Sequence, residues 1–234
     1  MPTAVGIIAS SSVGAIDPPN VAGLYQWYDA SDISTITYVA APKVSQWRDK
    51  SSNVFHLGSA SIEPSLIADG LKTGLNSMYF DGTKRIENAN GCNQKPLTCF
   101  IVVKHTGNAA DRTLVGSTFT NGFYWGLTTT HRMVVNQQYI VAIGTSTTAI
   151  PANITRILCV TYSATGVLAF YVNNVADGTA IWDVTFNAST AMTSLGDGIG
   201  QAFTGTIGEI VKYSSVLSAT DRTLVYNYLA AKWL

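Results

Sequence analysis

Phe203-Thr-Gly-Thr-Ile-Gly-Glu209-Ile-Val-Lys-Tyr213-Ser-Ser-Val-Leu-Ser218-Ala-Thr-Asp221-Arg222, followed by a run to Leu234, carries the strongest structural signal in the chain. Strand alternation predicts Ile207, Glu209, Val211 and Tyr213 along one side and Gly208, Ile210 and Lys212 along the other. Glu209 is then the odd member of a mostly apolar row, which makes it either partnered or close to a rim. Ser214-Ser215 ends the strand. Ser218 and Asp221 have capping-box spacing, with Asp in the place of the usual Glu or Gln. Beyond them Leu224, Val225, Tyr228, Leu229 and Trp233 recur at helical spacing as one apolar stripe. A strand that runs into a capped amphipathic helix reads as the closing clasp of a β fold.

Upstream, short strands alternate with turns. Strands are predicted over 24–28, 44–48, 54–57, 77–80, 113–117, 122–128, 132–135, 139–143, 179–186 and 194–199. Leu97 to Lys104 is the most continuous apolar run and is expected to be a central strand. Arg156–Ser163 and Val167–Val172, separated by Ala-Thr-Gly, read as a hairpin. No internal repeat and no low-complexity linker is evident.

The closing segment resembles that of LamG-like jelly-roll domains in the concanavalin A-like lectin/glucanase superfamily. Phe203, Gly205, Ile207, Glu209, Ile210, Tyr213, Leu217, Ser218 and Arg222 occupy the places of its recurring pattern. Gly23-Leu-Tyr-Gln-Trp27-Tyr-Asp-Ala30, Val44-Ser-Gln-Trp47-Arg-Asp-Lys-Ser51 and Met78-Tyr-Phe-Asp-Gly-Thr83 resemble its opening and middle. The resemblance spans residues 21–234. It implies an all-β, two-sheet antiparallel jelly-roll sandwich with one C-terminal helix, preceded by an extended arm over residues 1–20. Trp27, Trp47 and Trp233 fall in framework segments and are assigned to the core.

Composition bounds the partners. Charged residues make up 12% of the chain and the net charge is +0, so the basic footprint of nucleic-acid binding is missing. A surface so short of charge suits a component shielded inside an assembly. No run reaches the ~18–20 apolar residues that cross a bilayer. The first twenty residues carry Val5, Ile7, Ile8, Val13 and Ile16 with no charge before Asp17. Such an arm is expected to occupy a groove on a neighbouring subunit, or else to cover its own domain, with Asp17-Pro-Pro-Asn20 as a stiff hinge.

Catalytic signals are sparse. Glycoside hydrolysis needs two flanking carboxylates, and the β-glucanase branch of the superfamily carries them as Glu-x-Asp-x-x-Glu on one strand. Here glutamate occurs only at Glu63, Glu87 and Glu209, none in such a run. His56, His105 and His131 are isolated, and no nucleophile elbow is present. The chain is expected to be no enzyme. Calcium is the one cofactor the resemblance raises. Asp29, Asp32, Asp49 and Asp81 lie at strand ends where oxygen ligands could gather, although turn aspartates that cap backbone amides explain them better. Cys92 and Cys99 could bridge a local loop; three unpaired thiols, with Cys99 and Cys159 in buried strands, is the preferred reading.

Sugar recognition needs aromatic faces beside polar groups. Tyr124, Trp125, His131, Arg132 and Trp182 are the candidates, with Tyr124 the ring to be exposed if Phe123 and Trp125 point inward. The Tyr-Asp-Ala-Ser-Asp opening and Leu-Ala-Ala-Lys-Trp ending also look like those of bacteriophage structural modules. That implies a virion-surface component, a capsid decoration or tail appendage, assembled with other virion proteins or copies of itself and able to contact cell-surface carbohydrate. A free-standing carbohydrate-binding module is the alternative, and a glycoside hydrolase of the same superfamily is a third reading that requires two carboxylates from separate strands to meet in a groove.

Overall fold

A computed structural model of the chain describes residues 18–58, 62–88, 96–107, 112–116, 123–137, 142–182, 193–196 and 202–234. Its strands are β1 (Leu24–Asp29), β2 (Ile36–Ala40), β3 (Lys43–Trp47), β4 (Leu57–Gly58), β5 (Ser65–Ala68), β6 (Asn76–Asp81), β7 (Ile86–Asn88) and β8 (Leu97–His105). They continue as β9 (Arg112–Gly116), β10 (Phe123–Leu127), β11 (Arg132–Gln137), β12 (Ala142–Ala149), β13 (Arg156–Tyr162), β14 (Val167–Val172), β15 (Val175–Ile181), β16 (Thr193–Leu195) and β17 (Thr204–Tyr213). One helix, α1 (Ala219–Trp233), closes the chain. The arm residues Val5, Ile7, Ile8, Val13 and Ile16 lie outside the described residues, as does Cys92.

Every pairing among these strands is antiparallel, in two layers. In the first, β17 is flanked on one side by β8 and on the other by β6 and β1 end to end; β13, β14 and β15 follow beyond β8. The second layer runs β4, β7, β16, β9, β10, β11, β12. β3 pairs with β2, β4 and β5 and so carries the ladder from one layer to the other. This is the jelly-roll sandwich expected. Between the layers one apolar cluster joins Ile101, Val103, Leu158, Val160 and Phe170 of the first layer to Trp125, Leu127, Met133 and Val135 of the second.

Alternation sorts the first layer into two faces. Leu97, Cys99, Ile101 and Val103 point into the sandwich, while Phe100 and Val102 point outward to α1. There Val225, Leu229 and Trp233, spaced four residues apart on the helix, pack with Trp27, Phe100, Val102, Ile157, Cys159 and Val211. Cys99 and Cys159 are buried on opposite faces of the first layer, as their strands implied. The cap forms as the sequence indicated: Ser218 Oγ accepts the Asp221 N–H at 3.1 Å, and the Asp221 carboxylate accepts the Ser218 hydroxyl at 2.8 Å.

Pro18–Asn20 is a 3-10 turn, with the Pro18 carbonyl accepting both Tyr213 Oη at 3.0 Å and Val21 N at 3.2 Å. One local reading is corrected. In β17, Ile207 pairs with Val103 and Ile210 with Ile101, so Gly208 and Glu209 together oppose the single residue Val102. This β-bulge inserts one extra residue and breaks the alternation. Ile207 and Ile210 both face the sandwich, and Glu209 turns toward the helix with Val211 and Tyr213.

Candidate functional site: a buried carboxylate clasp and an exposed basic turn

The bulge delivers Glu209 to a point where β1 and α1 meet. Its side chain is fully buried. Oε1 accepts Trp27 Nε1 at 2.7 Å and Tyr228 Oη at 2.9 Å; Oε2 accepts Trp233 Nε1 at 2.8 Å and Lys232 Nζ at 2.8 Å. Four donors on two oxygens offset the desolvation of the charge, which would otherwise be prohibitive. Trp27 comes from β1, Glu209 from β17, and the other three donors from α1. Gly208 allows the close approach of the helix: a Cβ there would lie 2.8 Å from the Trp233 ring.

Lys232 Nζ also pairs with Asp29 Oδ1 at 2.8 Å, and Asp29 stands directly opposite Glu209 on β1. From Asp29 the network continues to Lys50 Nζ at 3.3 Å, and Lys50 reaches Asp32 at 2.8 Å while its ammonium lies 4.2 Å from the Trp27 ring centre. Burial pushes the Asp29 carboxyl up, but Lys232, Ser31 and Lys50 more than reverse this and hold it below its ordinary value. For Glu209, burial and then the neighbouring Asp29 charge raise the carboxyl, and Lys232 and Trp233 only partly offset them. Burial lowers the Lys50 ammonium and Asp32 and Asp29 raise it, with a net rise.

Asp29 and Glu209 are thus two carboxylates brought together from separate strands, as glycoside hydrolysis would require, but they meet in the core. A glycosidic bond must lie between such a pair with room for water or a covalent adduct. Here an ammonium fills the space between them, and indole and phenol groups cover Glu209.

The turn aspartates cap backbone amides, as anticipated. Asp29, Asp32 and Asp81 accept the N–H groups of Ser31, Ser34 and Thr83. Asp49 accepts those of Trp27, Ser51 and Phe55 and so fixes the loop after β3 against β1. Among the described residues no three His, Cys, Asp or Glu side chains gather as a metal site. Arg222 of the closing pattern lies 3.9 Å over the Tyr171 ring and donates to Asn174 Oδ1 at 3.2 Å, which ties the β14–β15 hairpin to α1.

The aromatic sugar platform expected from the sequence is not at the surface. Tyr124, Trp125 and Trp182 are 1%, 0% and 3% exposed. Trp125 fills the sandwich interior. Trp182 stacks on Tyr162 with ring centres 5.4 Å apart, and Tyr162 Oη donates to the Trp182 carbonyl. Tyr124, expected to be the exposed ring, is buried although its side alternates with that of Trp125. Trp27, Trp47 and Trp233 are core residues, as their framework positions implied.

His131 and Arg132 remain at the surface, at the turn from β10 to β11. His131 is half-buried and Arg132 exposed. Their backbone is tightly held: Thr128 N donates to the Arg132 carbonyl, His131 N to the Thr128 carbonyl and Ile150 N to the His131 carbonyl, each at 2.8 Å. The His131 ring meets His105 edge-on at 4.8 Å.

This architecture defines a lectin-like β-sandwich. Solved structures that share it include domain 4 of AbnA, a GH43 extracellular arabinanase from Geobacillus stearothermophilus, in complex with arabinotriose. It superposes with a TM-score of 0.63 at 15% identity, over 88% of this chain and 98% of that one. Trypanosoma rangeli sialidase matches at 0.60 and 13% identity over 91% of this chain and 33% of its own. The binding domain of Paraclostridial Mosquitocidal Protein 1 matches at 0.63 and 12% identity, over 89% and 52%. The chain therefore spans about a third to a half of the latter two. No protein-family model and no curated sequence matches the chain. At such identities the likeness establishes the fold.

Proposed function

We propose that the protein is a non-catalytic, lectin-like binding module of an extracellular particle, a bacteriophage virion component that contacts glycans. The observation that carries the binding reading is the correspondence with nearly the whole of an arabinanase domain solved with arabinotriose. The sealing of Asp29 and Glu209 in the core supports a role without hydrolysis. The Tyr-Asp-Ala-Ser-Asp and Leu-Ala-Ala-Lys-Trp segments, which resemble phage structural modules, supply Asp29, Asp32, Lys232 and Trp233 to one clasp, so the shared residues serve the fold. The uncharged residues before Asp17 and the neutral composition support assembly with copies of itself or other virion proteins.

A glycan array probed with the full-length protein tests the binding reading, and a reducing-sugar assay on each bound glycan tests the rest. Binding without sugar release is expected. Release above background that disappears in Glu209→Gln would establish a hydrolase instead.

A further inference from the structure

We propose that the β10–β11 turn binds the carboxylate of an acidic sugar, with Arg132 as the anion-binding group and His131 beside it. The inference rests on the glycan-binding reading above and names its ligand class. Arg132 is exposed, and among the described residues no carboxylate pairs with it or with His131. An unpaired guanidinium presents a planar fork of N–H donors that matches a carboxylate in two parallel hydrogen bonds, a geometry neutral hydroxyls use less well.

The turn fixes the backbone from which these two side chains project. His131 has φ of 61°, a left-handed conformation that a side chain bearing Cβ adopts at a cost. Three backbone hydrogen bonds keep it there, and a fourth runs from Arg132 N to Thr128 Oγ1 at 3.1 Å. Beneath lies His105, fully buried, with Gly107 N donating to its Nδ1 at 3.2 Å and its Nε2 at 2.9 Å from the Ile150 carbonyl. Both nitrogens of His105 are therefore engaged, which places its proton on Nε2 and leaves the ring as a fixed support for His131. Thr130 is exposed along the same turn, and its hydroxyl, 3.0 Å from that of Thr128, keeps capacity for a sugar hydroxyl. Carboxylates occur on both uronic and sialic acids, and the turn would read the group they share.

Calorimetric titration with two matched pairs tests this: 3′-sialyllactose against lactose, and oligogalacturonate against its methyl ester. The full-length protein is expected to bind the acid of at least one pair about tenfold tighter than its neutral counterpart, the ratio of a charge-assisted hydrogen-bonded pair. The pair that shows the preference identifies the source. Arg132→Gln should erase it. His131→Asn, which tolerates the positive φ, should weaken acid binding about threefold with the fold intact. Equal affinity for acid and neutral forms, or a preference that survives Arg132→Gln, would overturn the proposal while the glycan reading stands. Absence of binding to any glycan, neutral ones included, would overturn both.

Discussion

A carboxylate without access to water persists at position 209 because each of its oxygens receives two donors, and the same reasoning fixes the charge of its neighbour. Asp29 is nearly buried, yet Lys232 at 2.8 Å and Lys50 at 3.3 Å keep its carboxyl below the ordinary 3.8. A carboxylate with a depressed folded pKa contributes stability above its unfolded pKa and loses it as pH falls through the folded one. Glu209 works in the opposite sense: its raised pKa means that its own contribution grows as pH falls. Urea midpoints measured from about pH 5 downward should therefore fall with an acid limb that starts below about pH 4. That limb should flatten in Asp29→Asn, which would be less stable than the wild type at neutral pH. An unchanged limb would assign it to other acids. At this scale much was legible: one charged residue in an apolar row had to be partnered or near a rim, and Glu209 is partnered. Tyr124 was not legible, because alternation places a side chain on a face without saying what covers that face.

At the scale of elements, the bulge at Gly208–Glu209 decides how the helix docks. Period-two reading puts Ile207 and Glu209 on one side; the extra residue separates them, so that Ile207 fills the sandwich and Glu209 meets α1. Gly208→Ala should cost roughly 1–3 kcal/mol, as overpacking in a filled core does, because the new methyl would lie 2.6 Å from Leu71 and 2.8 Å from the Trp233 ring. Chemical denaturation checks it, and a neutral result would mean that Trp233 can retreat without leaving Glu209. Strands buried on both faces were readable as apolar runs, β8 foremost, and β13 and β14 form the hairpin expected. The failures have separate causes. β2 is exposed at Thr37, Tyr38, Val39 and Ala40 and so shows no alternation. Val54, β-branched but at φ of 60°, cannot continue a strand, and the one predicted over 54–57 shrinks to Leu57–Gly58. β7 was hidden in a polar segment that Ile86 alone ties to the core.

At the scale of the molecule, Trp27 and Asp29 near one end and Lys232 and Trp233 near the other converge on a single carboxylate, which closes the sandwich as a unit. Its assembly is a separate matter, which we propose the residues before Pro18 carry. Because the Pro18 carbonyl is held by Tyr213 and Val21, a truncation that tests the arm should begin at Pro18 and keep that contact. Light scattering should find a defined oligomer for the full-length chain and a folded monomer for the truncated one. Two monomers would move the free-standing carbohydrate-binding module ahead of the virion component. The signature residues around Glu209 hold the fold, and we propose that they do no chemistry. The most direct test is the unfolding free energy of Glu209→Gln, measured beside its glycan affinity under native conditions. The expected result is a loss of about 2–4 kcal/mol, since an amide meets donors that need a carboxylate, with glycan affinity unchanged. Unchanged stability together with lost binding or lost hydrolysis would contradict the account.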